Sequence, residues 1–290
     1  MRPTAIAAGV FIFLTTTSAM AIDLTPLWDF SQPDVSEQRF RAALKTASVD
    51  DALVLQTQIA RSYGLRKDFA AARDTLKAIE PQMATAGTEA RTRYALELGR
   101  TYASATHPAD AQTTESRELA RTAYRSALDL AKEARLDSLA IDAIHMLAFV
   151  DTSPADQLKW GLEALSVVTR STQAAAKQWE APVRHNVGYA LHQLGRYDEA
   201  LAQFRQAVVL REQGGDAQAL RVAHWMVAWT LRSLKRNEEA LDIQLRLERE
   251  ADDAGQPDPY VFEELELLYR DRNDAAKAAY YASRKQAVAR

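Results

Sequence analysis

The chain has 290 residues, 47% of them apolar and 26% charged, with 36 basic and 39 acidic side chains and no cysteine. That apolar content and a net charge of −3 exclude a disordered chain, and the near balance of charge leaves no electrostatic footprint for nucleic acid or an anionic membrane. Without cysteine there is no disulfide, no thiol nucleophile and no Cys-ligated zinc, while 54 alanines tilt the composition toward helix.

The first residues bear on compartment. Met1 and Arg2 give a short basic start, Ala5 to Leu14 form an apolar run of ten, and Ala19-Met20-Ala21 is a small-x-small site. This pattern predicts a signal peptide over residues 1–21 with cleavage after Ala21. The run is about half of the roughly 20 residues that span a bilayer. No cysteine follows the cleavage point, which argues against a lipid-modified amino terminus. The expectation is an exported protein, periplasmic or secreted, whose mature residues 22–290 form one helical repeat domain without a membrane span.

Beyond that point the periodicity is helical. A first helix is predicted at 34–47, where Glu37 and Arg41 are spaced for an i,i+4 ion pair. Helix pairs follow near 50–80, 87–134, 137–170, 173–213, 216–253 and 258–288. The second pair carries an insert, Ala105 to Thr114, read as a protruding loop with His107 as a solvated residue in it. Pro154 suits a helix start, and Pro182 should kink its helix or delay it. No stretch alternates as a strand would.

Three segments share a pattern. Residues 183–208, 223–248 and 55–80 each place an apolar–small pair on a first helix (Val187-Gly188, Val227-Ala228, Ile59-Ala60). A larger apolar residue follows three positions later (Leu191, Leu231, Tyr63), then a turn and an alanine on a second helix (Ala200, Ala240, Ala72). Small residues let two helix backbones approach, and spacings of three and four keep apolar groups on one stripe. The pattern resembles the tetratricopeptide repeat, most clearly at Gly188, Leu191, Gly195, Tyr197, Ala200, Phe204 and Ala207. The other copies are degenerate: Lys235 and Asn237 replace Gly195 and Tyr197, and the period is about 40. The resemblance implies an all-α, TPR-like α-solenoid of about six antiparallel helix pairs plus an N-terminal helix.

In such an array the first helices line a concave face. His145 and Phe149, His185 and Tyr189, and Trp225 and Trp229 recur there at intervals of 40, with His192 and Arg232 one turn further. These eight are the candidate partner-binding residues for a peptide or partner helix; the alternative is that the aromatics pack between repeats. The Lys, Asn and Arg arrangement with which some family members grip a carboxyl terminus does not fit these positions. His185 and His192 are too far apart on one helix to share an ion, no HExxH occurs, and the acids of 252–274 read as helix ends and solvated faces. With no nucleophile elbow, phosphate loop or dinucleotide fingerprint, no catalytic residue, cofactor or metal is expected. The expected function is a non-enzymatic interaction scaffold of the bacterial cell envelope with one or more protein or peptide partners. The alternative is a sensory or regulatory module that binds a small ligand or peptide and signals through a separate partner.

Overall fold

The computed structural model describes residues 22–288, so the expected signal peptide, residues 1–21, lies outside the described residues. After a short 3-10 turn comes α1 (Pro33–Ala43). Six consecutive helix pairs follow: α2 (Val49–Leu65) with α3 (Phe69–Ile79), α4 (Thr88–Tyr102) with α5 (Thr114–Glu133), and α6 (Asp137–Val150) with α7 (Pro154–Arg170). A single turn, α8 (Ala174–Lys177), leads into α9 (Glu180–Gln193) with α10 (Tyr197–Gly214). The array continues with α11 (Ala217–Ser233) and α12 (Asn237–Asp253), and with α13 (Pro259–Asp271) and α14 (Ala275–Val288). Every described element is helical, and each pair stacks on the next as an α-solenoid.

Local sequence explains where helices begin and end. Ser48, Thr113, Ser153 and Asp216 cap α2, α5, α7 and α11 by accepting from backbone N–H groups, and Pro154 and Pro259 occupy first turns. Pro182 lies in the first turn of α9, where its missing N–H costs nothing, and the helix accordingly starts at Glu180 instead of 173. Within four of the pairs, α2–α3, α9–α10, α11–α12 and α13–α14, the chain turns through a left-handed residue. Gly195 has φ +74°, and Lys235 takes φ +60° in the same motif, closed by Arg196 N–H to Leu191 O and Arg236 N–H to Leu231 O, both 2.9 Å. A lysine thus adopts the glycine conformation, and the degenerate repeat keeps its turn.

Packing follows the small-residue rule. A Cβ on Gly188 would stand 2.7 Å from Phe204, which is fully buried. The same contact recurs where sequence hides it: a Cβ on Gly99 would stand 2.5 Å from fully buried Tyr124. Gly188 and Phe204 are 16 residues apart and Gly99 and Tyr124 are 25, and the insert accounts for the nine extra residues. Tyr124 donates to Ala103 O at 2.6 Å. The insert does not leave His107 to solvent, as expected from sequence. Its ring stacks on Phe69 with centroids 3.7 Å apart, Nδ1 faces Ser104 N–H at 3.2 Å, and Nε2 lies 3.2 Å from Thr101 O. Folding the loop back this way sets His107 against Thr101 O, one of the last carbonyls of α4.

The core is in two blocks. One joins α1, α2, α3 and the first turns of α4, from Leu24 to Ala90; the other runs from Ala95 to Tyr281. At the start of the smaller block Ile22 N–H donates to Asp51 Oδ1 at 3.2 Å. No described helix is long and apolar enough to cross a membrane.

Candidate functional site

Three clefts, each sharing a lining residue with the next, lie along the face made by the first helices. The largest, about 580 Å³, opens between α9, α11, the end of α12 and the start of α13. His185, Tyr189 and Trp225 line it, over a floor that includes Met226, Leu247 and Val261, with Arg221 and Asp258 at the mouth. A second cleft of about 190 Å³ is lined by His145, Phe149 and Trp160 and shares Tyr189 with the first. A third, about 240 Å³, shares His145 with the second and is lined by Arg61, Glu97, Arg100 and Asp142.

Tyr189 and Trp225 of the large cleft both stack on Trp229 behind it. Trp225 lies 5.8 Å from Trp229 with planes 21° apart, Tyr189 lies 6.1 Å from Trp229, and Tyr260 meets Trp225 edge-on at 6.5 Å. Tyr260 is 66% exposed, a large apolar ring left in water. The buried indole Nε1–H of Trp225 has no hydrogen-bond partner. A donor of that kind is costly to leave unpaired, and it belongs to a residue of the cleft wall. His185 packs edge-on to Phe204 at 5.9 Å, and burial, aided by the Arg211 charge, lowers its pKa. Burial likewise lowers that of His145, against the pull of Asp142. Both rings are neutral near pH 7.

The eight sequence candidates therefore separate. His185, Tyr189 and Trp225 line the large cleft, and His145 and Phe149 the second. Trp229 stands behind, flat against buried His192 at 3.3 Å, and His192 Nε2 meets Ser233 Oγ at 3.0 Å. Arg232 is clamped on Glu264 of α13 by two hydrogen bonds, 2.7 and 2.8 Å. These three hold α9, α11 and α13 together and line none of the clefts described above. Tyr260 escaped sequence reading because α13 breaks the 40-residue interval; its one signal is an aromatic residue just after Pro257-Asp258-Pro259.

The charged cleft was also invisible in sequence, because its members lie on three helices. Arg100 bonds Glu97 Oε1 at 2.6 Å and Asp142 Oδ1 at 2.5 Å, while Arg61 reaches Glu97 Oε1 at 3.3 Å and stands 3.8 Å from Asp142 Oδ2. Burial opposes ionisation of Asp142, yet Arg100 and Arg61 hold its carboxyl below the usual range. Burial is outweighed at Arg100 too, whose pKa is raised by Asp142 and Glu97. Among the described residues, no group of three or more His, Asp or Glu is placed to hold a metal ion.

Residues 179–248, from the start of α9 into α12, match the family model of the tetratricopeptide repeat. A cell division cycle protein 16 homolog from mouse is 32% identical over 101 residues, which is 34% of this chain and 16% of that protein. The chain thus spans a small part of that relative's length. Among solved structures, apo RapI superposes with a TM-score of 0.71 at 14% identity, covering 91% of this chain and 72% of its own. A Rap protein complexed with Competence and Sporulation Factor gives 0.55 at 13% identity, covering 90% and 72%. The fold is that of tetratricopeptide-type helical repeat proteins.

Proposed function

We propose that the protein is a non-enzymatic interaction scaffold of the bacterial cell envelope, whose large cleft takes an apolar or aromatic side chain of a peptide segment. The observation that carries this is the cleft of about 580 Å³ walled by Tyr189, Trp225 and Tyr260, with the Trp225 indole N–H unpartnered. Preformed aromatic walls gain affinity with little ordering on binding, and Trp and Tyr dominate interface hot spots. The Rap protein solved with Competence and Sporulation Factor shares the fold, which supports ligand capture by an array of this shape. The envelope assignment rests on the predicted signal peptide at residues 1–21.

The test is selection of displayed peptides on immobilised residues 22–290, followed by calorimetry on the selected sequences. Trp225→Phe and Tyr260→Ala should each weaken binding about tenfold or more with helix content and melting unchanged. Unaltered affinity in both variants would move the binding site elsewhere. Cell fractionation with amino-terminal sequencing tests export, with Ile22 as the expected first residue.

A further inference from the structure

The charged cleft has the donors and acceptors of an unfilled hydrogen-bonding site. Glu97 is only 3% exposed, and its Oε2 has no partner; the Nε–H of Arg61 is also buried and unpaired. Asp142 gives Oδ1 to Arg100 at 2.5 Å but keeps Oδ2 beyond hydrogen-bond reach of Arg61, at 3.8 Å. Glu97 Oε2, Asp142 Oδ2 and the Arg61 Nε–H are therefore among the groups left without a hydrogen-bond partner.

Charge narrows what could meet them. Two guanidinium groups and two carboxylates make the cluster neutral, and the pKa of His145 at its edge is lowered, adding no positive charge near pH 7. An ammonium or a carboxylate entering the cleft would bring an unmatched charge into a partly desolvated site. A primary carboxamide brings two N–H donors and one carbonyl acceptor without charge. That inventory can pair with Glu97 Oε2, Asp142 Oδ2 and the Arg61 Nε–H together.

Position links this cleft to the aromatic one. His145 lines both the charged and the middle clefts, and Tyr189 both the middle and the large ones, so the three form one track along the first helices. We infer that the track reads a peptide at two points, with an aromatic side chain against Trp225 and a Gln or Asn carboxamide against Arg61, Glu97 and Asp142. This rests on the peptide-binding role proposed above and adds the chemistry of the second contact.

Fluorescein-labelled peptides with one fixed Trp test it, the other positions being scanned in turn with Gln, Glu, Lys or Leu. Acetyl and dimethylamide ends leave the scanned side chain as the sole primary carboxamide. At one separation from Trp, Gln should bind at least about tenfold tighter than Glu, Lys or Leu, as read by anisotropy with residues 22–290. Arg61→Lys keeps the positive charge and removes the Nε–H, so the Gln preference should disappear while dependence on Trp remains. Equal binding of Gln and Leu peptides, with water filling the cleft, overturns the inference, as does a preference for Glu or Lys; either result leaves the aromatic site standing. Loss of Trp dependence throughout would instead overturn the peptide-binding role itself.

Discussion

His192 lies flat against Trp229, ring centroids 3.3 Å apart and planes 18° from parallel. The pair spans α9 and α11, so the most conspicuous ring of the aromatic ladder is inter-repeat packing, while its neighbour Trp225 faces the cleft. Trp229→Ala should therefore cost about 2–4 kcal/mol of stability. Tyr260→Ala, at an exposed position, should stay within about 0.5 kcal/mol. Urea midpoints of the two variants give the comparison, and equal losses would contradict this division of roles.

Acid should destabilise the fold. All five histidines, His107, His145, His185, His192 and His224, are held below their usual pKa, first of all by burial. His192, also repelled by Arg232, is pushed down to about 4. Between pH 6.5 and 4 the unfolded chain binds protons that the folded chain refuses, so stability is complete above pH 6.5 and falls as pH drops toward 4. Urea midpoints at pH 7 and pH 5 should show the loss, and His192→Gln should make it smaller.

Gly99→Ala should destabilise by about 1–3 kcal/mol, because the new Cβ would meet the fully buried Tyr124 ring at 2.5 Å. Gly64, with open space around its Cβ position, is the internal control and should tolerate alanine without loss. Thermal melts of the two variants distinguish a packing glycine from an incidental one.

A chain cut after Ala21 would present the α-ammonium of Ile22 to Asp51, whose Oδ1 lies 3.2 Å from that nitrogen. A carboxylate at this distance favours the protonated amine and raises its pKa. The stabilisation, up to about 1 kcal/mol, should be complete below about pH 8, where free α-amines titrate, and disappear as pH rises through the folded value. Melting temperatures of residues 22–290 with a free and an acetylated amino terminus should differ at pH 7 and converge at pH 10. Asp51→Asn should abolish the difference.

Helix pairing was readable because it depends on local order: small residues three and four positions from large ones, caps, and turn residues. The Gly99–Tyr124 contact was missed because nine inserted residues displaced one partner from its usual spacing. Of the eight candidates, His145, Phe149, His185, Tyr189 and Trp225 line clefts, because each keeps the face its spacing implies. Trp229 shares their interval of 40 yet turns into the α9–α11 seam, since periodicity fixes a face but not which neighbour the ring will reach. The Arg61–Glu97–Arg100–Asp142 cluster joins three helices, and no spacing within one helix announces it.

The boundary between Ala90 and Ala95, where one hydrophobic block gives way to the other, falls inside α4, so one rigid helix belongs to both. In a stack where each pair leans on its neighbours, α4 acts as the splice between the blocks. Arg61 of α2 reaches across to Glu97 of α4 and stands near Asp142 of α6, so the four-charge cluster ties the smaller block to the larger one.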